Sequence, residues 1–193
     1  MRRFLLLLVA MATVPLGAQT EAAKTRAERK ARYEAHKSDF DYLLGDWEFT
    51  AQSVEWGKYG GRWNAVRTAE GHILDEYRIL DDKGGTIDVT STVRSYNSAA
   101  DRWELISMNE GGGLQDFGTA QKVDGEMHIE QKFGVAGGSP TVLRIRYYNV
   151  RTDRFSWSAE GSKDGGKTWV KDFLRIEARR IGGARSLAQG LRP

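Results

Sequence analysis

The residues of this chain best suited to chemistry are its aromatics, with six tryptophans and seven tyrosines among 193 residues. Trp47, Trp103 and Trp157, together with Tyr77, Tyr96 and Tyr147, fall in segments with neighbouring apolar positions. Rings of this kind either pack a core or line a pocket for an apolar molecule. Arg94 and Arg144 stand among them. A guanidinium turned inward would anchor a ligand carboxylate or carbonyl, and one turned outward would be solvated. An enzyme of isomerase or cyclase type would need an acid or base beside its substrate, for which Glu76, Glu104, Glu130 and His128 are the candidates. Asp75 and Glu76 are adjacent, so on a strand they point to opposite faces and cannot share one small pocket. With no cysteine there is no disulfide, thiolate metal site or cysteine nucleophile. The chain also lacks a Gly-x-Ser-x-Gly elbow, a phosphate loop and a His-x-x-x-His pair, which leaves no motif for nucleophilic, phosphoryl or zinc chemistry. No metal is implied.

What must position these side chains is a set of strands. Leu143, Ile145 and Tyr147 alternate with Arg144 and Arg146, and Phe155, Trp157 and Ala159 alternate with Ser156, Ser158 and Glu160. Leu174, Ile176 and Ala178 alternate with Phe173, Arg175 and Glu177. A period of two marks strands with unlike faces. Further strands are predicted over 46–56, 62–69, 72–80, 86–96, 102–109, 114–122 and 126–134. Gly60-Gly61, Asp82-Lys83-Gly84-Gly85, Asn97–Asp101, Asp124-Gly125 and Gly137–Pro140 read as the turns between them. Gly111-Gly112-Gly113 reads as a mobile turn that could gate an entrance. About ten strands with no intervening helix predict an all-β antiparallel up-and-down barrel, which leaves no open edge.

The amino terminus reads as an address. Arg2-Arg3, the apolar run Phe4–Ala12, Pro15 and Leu16-Gly17-Ala18 form a signal peptide over residues 1–18. The mature protein is therefore expected to be periplasmic or secreted, with no membrane span after cleavage. Residues 19–38 are a charged helical or flexible leader, 39–181 the barrel and 182–193 a flexible tail. The formal charge of +3 is misleading, because the barrel segment 39–181 holds 19 basic and 23 acidic residues. Nucleic acid is therefore not an expected partner.

Phe40-Asp41-Tyr42-Leu43-Leu44-Gly45-Asp46-Trp47 resembles the opening of calycin-type barrels, where a short turn caps the barrel and Gly-x-Trp starts the first strand. Thr92–Asn97 with Arg102-Trp103, Phe155–Glu160 with Ser162–Trp169, and Arg179-Arg180 complete a resemblance to bacterial lipocalin-like proteins of unknown function. The likeness runs from about residue 40 to 180. It implies a lipocalin- or fatty-acid-binding-protein-like barrel with an interior cavity, and no reaction. Gly161 stands where a larger residue is commoner in that family. Small barrels resembling nitrobindin hold haem through one histidine, and His72 or His128 could do so here. Ser162-x-Asp164-x-Gly166-x-Thr168-Trp169 also matches the Asp-box of sialidase propellers, but it occurs once and reads as a structural hairpin. The expected function is an exported barrel binding a small, mostly apolar ligand at Trp47, Tyr77, Arg94, Tyr96, Trp103, Tyr147 and Trp157. A structural or interaction module of the envelope and a barrel enzyme are the alternatives.

Overall fold

The computed structural model describes residues 16–111 and 113–186. The signal peptide expected over 1–18 lies almost wholly outside them, as do Gly112 and the tail beyond residue 186. Helix α1 (Leu16–His36) precedes strands β1 (Gly45–Ser53), β2 (Gly57–Arg67), β3 (Ile73–Leu80), β4 (Thr86–Asn97) and β5 (Arg102–Asn109). Then follow β6 (Gly113–Val123), β7 (Glu126–Phe133), β8 (Thr141–Tyr148), β9 (Arg154–Ser162), β10 (Val170–Gly182) and the two-residue β11 (Arg185–Ser186). Each of β1 to β9 pairs antiparallel with the next, and β1 pairs with both β2 and β10, so ten strands close a barrel. β11 adds a short parallel pairing to the end of β2. Among the described residues no helix is long and apolar enough to cross a membrane.

One end of the barrel is stoppered. A 3-10 turn at Asp41–Leu43 drops Phe40 and Leu43 into the bore, where both are fully buried. Around them close Trp47, Trp103, Tyr147 and Phe155, with Trp103 edge-on to Phe40 at 5.1 Å and Phe155 edge-on to Trp47 at 4.8 Å. Arg180 fastens the stopper to β10. Its guanidinium donates to the Leu44 carbonyl at 2.6 Å and the Tyr42 carbonyl at 3.0 Å, and it lies 4.0 Å from the Trp47 ring. The C-terminal end of α1 leans on the same end, where His36 stacks on Tyr96 at 5.1 Å.

The expected turn at Gly60-Gly61 is corrected: both glycines lie inside β2, and the chain reverses at residues 54–56. The reason is close approach. A Cβ on Gly61 would fall onto the carbonyl oxygen of Arg78 and come within 2.7 Å of the Phe49 ring. Glycine here lets β2 and β3 meet over a large aromatic. Gly161 has a similar use, because its missing side chain makes room for Phe173, whose ring a Cβ would meet at 2.7 Å.

Phe173 departs from the expected alternation and faces the interior together with Leu174. β10 carries a bulge between Val170 and Leu174, with Asp172 at a φ of 52°. Such an extra residue re-aims the side chains that follow it. The single Asp-box is a hairpin brace, as its sequence implies. Asp164 accepts from the amides of Lys167 (3.0 Å) and Thr168 (2.9 Å), and the Ser162 hydroxyl accepts from the Gly166 amide at 2.8 Å.

Gly61→Ala is expected to destabilise the barrel by about 1–3 kcal/mol in urea unfolding, as overpacking does. Gly137→Ala is the control, since a Cβ there meets nothing within 4 Å. Equal midpoints for the two variants would contradict the close-approach account.

Candidate functional site

Beyond the stopper the barrel is hollow. The interior holds a cavity of about 440 Å³ that opens at the other end, between Trp56, Asp88, Gln115, Phe133 and Phe173. The turn at Glu110 and Gly111, which follows β5, stands at this end. Trp56 projects into solvent at the mouth and is 58% exposed.

The floor of the cavity is a buried ion pair. Strand pairing sets Ile73 of β3 opposite Arg94 of β4 and Asp75 opposite Thr92, all on inward-facing positions. Arg94 Nε donates to Asp75 Oδ2 at 2.6 Å and its terminal nitrogen to Oδ1 at 3.2 Å, while the Trp63 indole N–H donates to Oδ1 at 2.9 Å. The guanidinium lies 5.1 Å from the Phe40 ring, so it separates the stopper from the hollow. Burial works against this cation, but Asp75, with Tyr147 and Tyr42, outweighs it and holds its pKa above the ordinary value.

A hydrogen-bonding belt continues from the pair along one wall. Asp75, Thr92, Ser107 and Asp116 are successive cross-strand neighbours on β3, β4, β5 and β6. Thr92 and Ser107 share a hydrogen bond of 3.0 Å. Asp116 is 3% exposed, and its Oδ1 has no hydrogen-bond partner. Burial pushes its carboxyl above the usual carboxylate range, against the opposing pull of Ser107, Arg94 and Gln131. The facing wall is apolar: Leu143 and Ile145 of β8, Trp157 of β9, and Phe173, Leu174 and Ile176 of β10. Burial keeps the phenols of Tyr77 and Tyr147 protonated well beyond their usual range, so they meet the hollow as neutral hydroxyls.

The structure divides the seven candidate binding residues between two places. Tyr77, Arg94, Tyr147 and Trp157 line the cavity. Trp47, Tyr96 and Trp103 belong to the stoppered end: the Trp47 indole donates to the Leu43 carbonyl at 2.8 Å, and the Tyr96 hydroxyl donates to Asp101 at 2.5 Å. Arg144 is outside, with its guanidinium 3.9 Å from the Trp169 ring. The candidate acids and bases are also outside. Glu76 pairs with Arg78, Glu104 with Arg102, and His128 with Glu126, while Glu130 lies in the outer groove with Arg144. The carboxylates in the cavity lining are Asp75, Asp116 and, at the rim, Asp88. His72 stands just before β3 and His128 in β7, where it pairs with Glu126.

The barrel has a counterpart among solved structures. Rv2717c from M. tuberculosis matches with a TM-score of 0.53 and 14% identity, covering 78% of this chain and 97% of its own. The likeness is one of fold alone. A redesigned beta barrel matches at a TM-score of 0.37 with 11% identity, covering 73% of this chain and 93% of its own. No family model matches the chain, and no curated protein matches it.

Asp116 makes a pH-dependent mark on stability. A carboxyl whose folded pKa is raised favours folding fully below its unfolded value and loses that contribution as pH rises through the folded value. Asp116→Asn is therefore expected to raise the melting temperature at pH near 7, with the gain vanishing at about pH 3, below the unfolded carboxylate range. Thermal unfolding of both proteins at the two pH values checks this; a gain of equal size at both would contradict it.

Proposed function

We propose that this barrel binds one small, mostly apolar molecule carrying a single polar group. The observation that carries the reading is the open cavity of about 440 Å³ with an apolar wall on one side and a hydrogen-bonding belt on the other. A filled barrel would have no such space, and a cavity without the belt would have nothing to orient its occupant. Removing roughly 200–300 Å² of ligand apolar surface from water supplies on the order of 5–7 kcal/mol before the entropy of association is subtracted. The belt then supplies orientation and the remaining affinity.

The ordered motifs resembling the bacterial lipocalin-like proteins support the same reading, as does the absence of an inward-facing Glu or His among the candidate acids and bases. We place its action outside the cytoplasm, supported by the basic and apolar amino terminus and the lack of cysteine. A second reading, an interaction module, has one observation in its favour. Ile106 and Met108 of β5 face Phe117 and Leu114 of β6 on the outer surface, each more than two-fifths exposed.

Trp63 and Trp157 line the cavity and report on its contents. Titration with a panel of lipids, quinones, fatty acids and aliphatic amines is expected to change tryptophan emission saturably for at least one class, at one site per barrel. Thr90→Phe, which narrows the bore, should weaken that binding by about tenfold or more. No saturable response from any class, with self-association that Phe117→Glu abolishes, would favour the interaction module instead.

A further inference from the structure

The charges that face the cavity do not cancel. Its lining contains four ionisable groups that carry charge at neutral pH in water: Arg94, Asp75, Asp116 and Asp88. Arg94 and Asp75 are engaged with each other through two hydrogen bonds, with oxygen and guanidinium both buried. No positive group in the lining remains for a ligand anion, which argues against a carboxylate anchored at Arg94. Two carboxyls remain. Asp88 stands at the rim, and Asp116 sits deeper, buried, with Oδ1 lacking any partner. The loops joining β3 to β4 and β5 to β6 add Asp81, Asp82 and Glu110 at the mouth, against Lys83.

We propose that the ligand is a small organic cation, a primary or secondary amine on an apolar or aromatic body, whose ammonium is received by Asp116. The inference rests on the binding-barrel reading and names the polar group of its ligand. An ammonium has several N–H donors and no acceptor. Asp116 Oδ1 takes one, and the hydroxyls of Ser107 and Thr92, next to it along the belt, offer further acceptors. Phe133 is the cross-strand neighbour of Asp116, and Tyr77, Trp63 and Trp157 supply further ring faces in the cavity, a setting that attracts an organic cation and the apolar body behind it. A bare metal ion is the poorer fit. Among the described residues no three His, Cys, Asp or Glu side chains converge to hold one.

Such a ligand also gives this buried carboxyl a use. An empty, desolvated carboxyl works against the fold, and a bound ammonium restores its missing partner. The groups around it that modulate its charge are Ser107, Arg94, Gln131 and Asp75. Only Arg94 among these is a cation, and it is already committed to Asp75.

The test compares three molecules of one shape: phenylbutylamine, phenylbutanol and phenylpentanoate, titrated calorimetrically into the purified protein and into Asp116→Asn. The amine is expected to bind about tenfold or more tighter than the alcohol, as a charge-assisted bond to a buried carboxylate implies, and the carboxylate weakest. Asp116→Asn should remove the preference for the amine, bringing its affinity to within about threefold of the alcohol's for the same variant, and the thermal unfolding described above checks that the variant is folded. A preference for alcohol or carboxylate, or an amine preference that survives Asp116→Asn, overturns the inference and leaves the binding barrel standing. If none of the three binds while the broader lipid, quinone and fatty-acid panel gives a saturable response, the inference alone falls. Silence from both sets overturns both.

Discussion

The Asp75–Arg94 pair is the constraint on which the rest of the interior depends. It lies across two adjacent strands, is almost wholly buried, and takes a third hydrogen bond from Trp63. On one side of it is the aromatic stopper; on the other the barrel is hollow. Removing one partner of a buried pair leaves an uncompensated charge and typically costs about 3–5 kcal/mol, whereas an apolar replacement of both is often neutral. The pair is therefore better understood as fixing an arrangement than as supplying net stability. It lies between the Phe40 ring and the hollow, and it neutralises the one cation in the cavity lining. The chemical character of the space above then follows from what is left, namely a hydroxyl-bearing belt, the Asp116 carboxyl with its unpartnered Oδ1, and Asp88 at the rim.

The closed end and the open end divide the labour. At the closed end, aromatic packing and the Arg180 contacts to the backbone of Tyr42 and Leu44 hold the first strand against the last, where the barrel must seal. At the open end the chain uses glycine-containing turns and one braced hairpin, so rigidity there is local. Half-buried rings such as Tyr59 and Tyr77, joined by a hydroxyl contact of 3.3 Å, form the transition between the two. Two arginines lie over tryptophan rings: Arg144 over Trp169 on the outside of the barrel, and Arg180 over the buried Trp47 at the closed end.

The strands were legible because their outer faces are polar and their inner faces mostly apolar, and each predicted strand has its observed counterpart. What escaped were the places where local pattern and tertiary role conflict. Gly60 and Gly61 look like a turn, since nothing local reveals the Arg78 backbone and Phe49 ring that exclude a side chain at Gly61. Phe173 alternates to the outside until a bulge turns it inward. Asp116 was hidden by its neighbour: in β6 the inward face reads Asp116, Gly118, Ala120, while the larger apolar Phe117 is 43% exposed on the other. The alternation there is inverted. Arg94 was legible as a candidate because it stands between aromatics, but its partner was not, since Asp75 and Glu76 offer two carboxylates and only the strand's facing chooses between them. Three of the seven aromatic and arginine candidates proved to belong to the stopper, because composition does not say at which height of a barrel a ring sits.

The account turns on the claim that the hollow is made to be occupied. Native mass spectrometry of the mature protein, purified from its own host without detergent, measures this directly. The prediction is a folded barrel carrying one small molecule, released on denaturation and recovered as a species with a positively charged or protonatable nitrogen and an apolar body. A protein that retains its cavity, flies at the mass of the bare chain and yields no small molecule in the extract would contradict it.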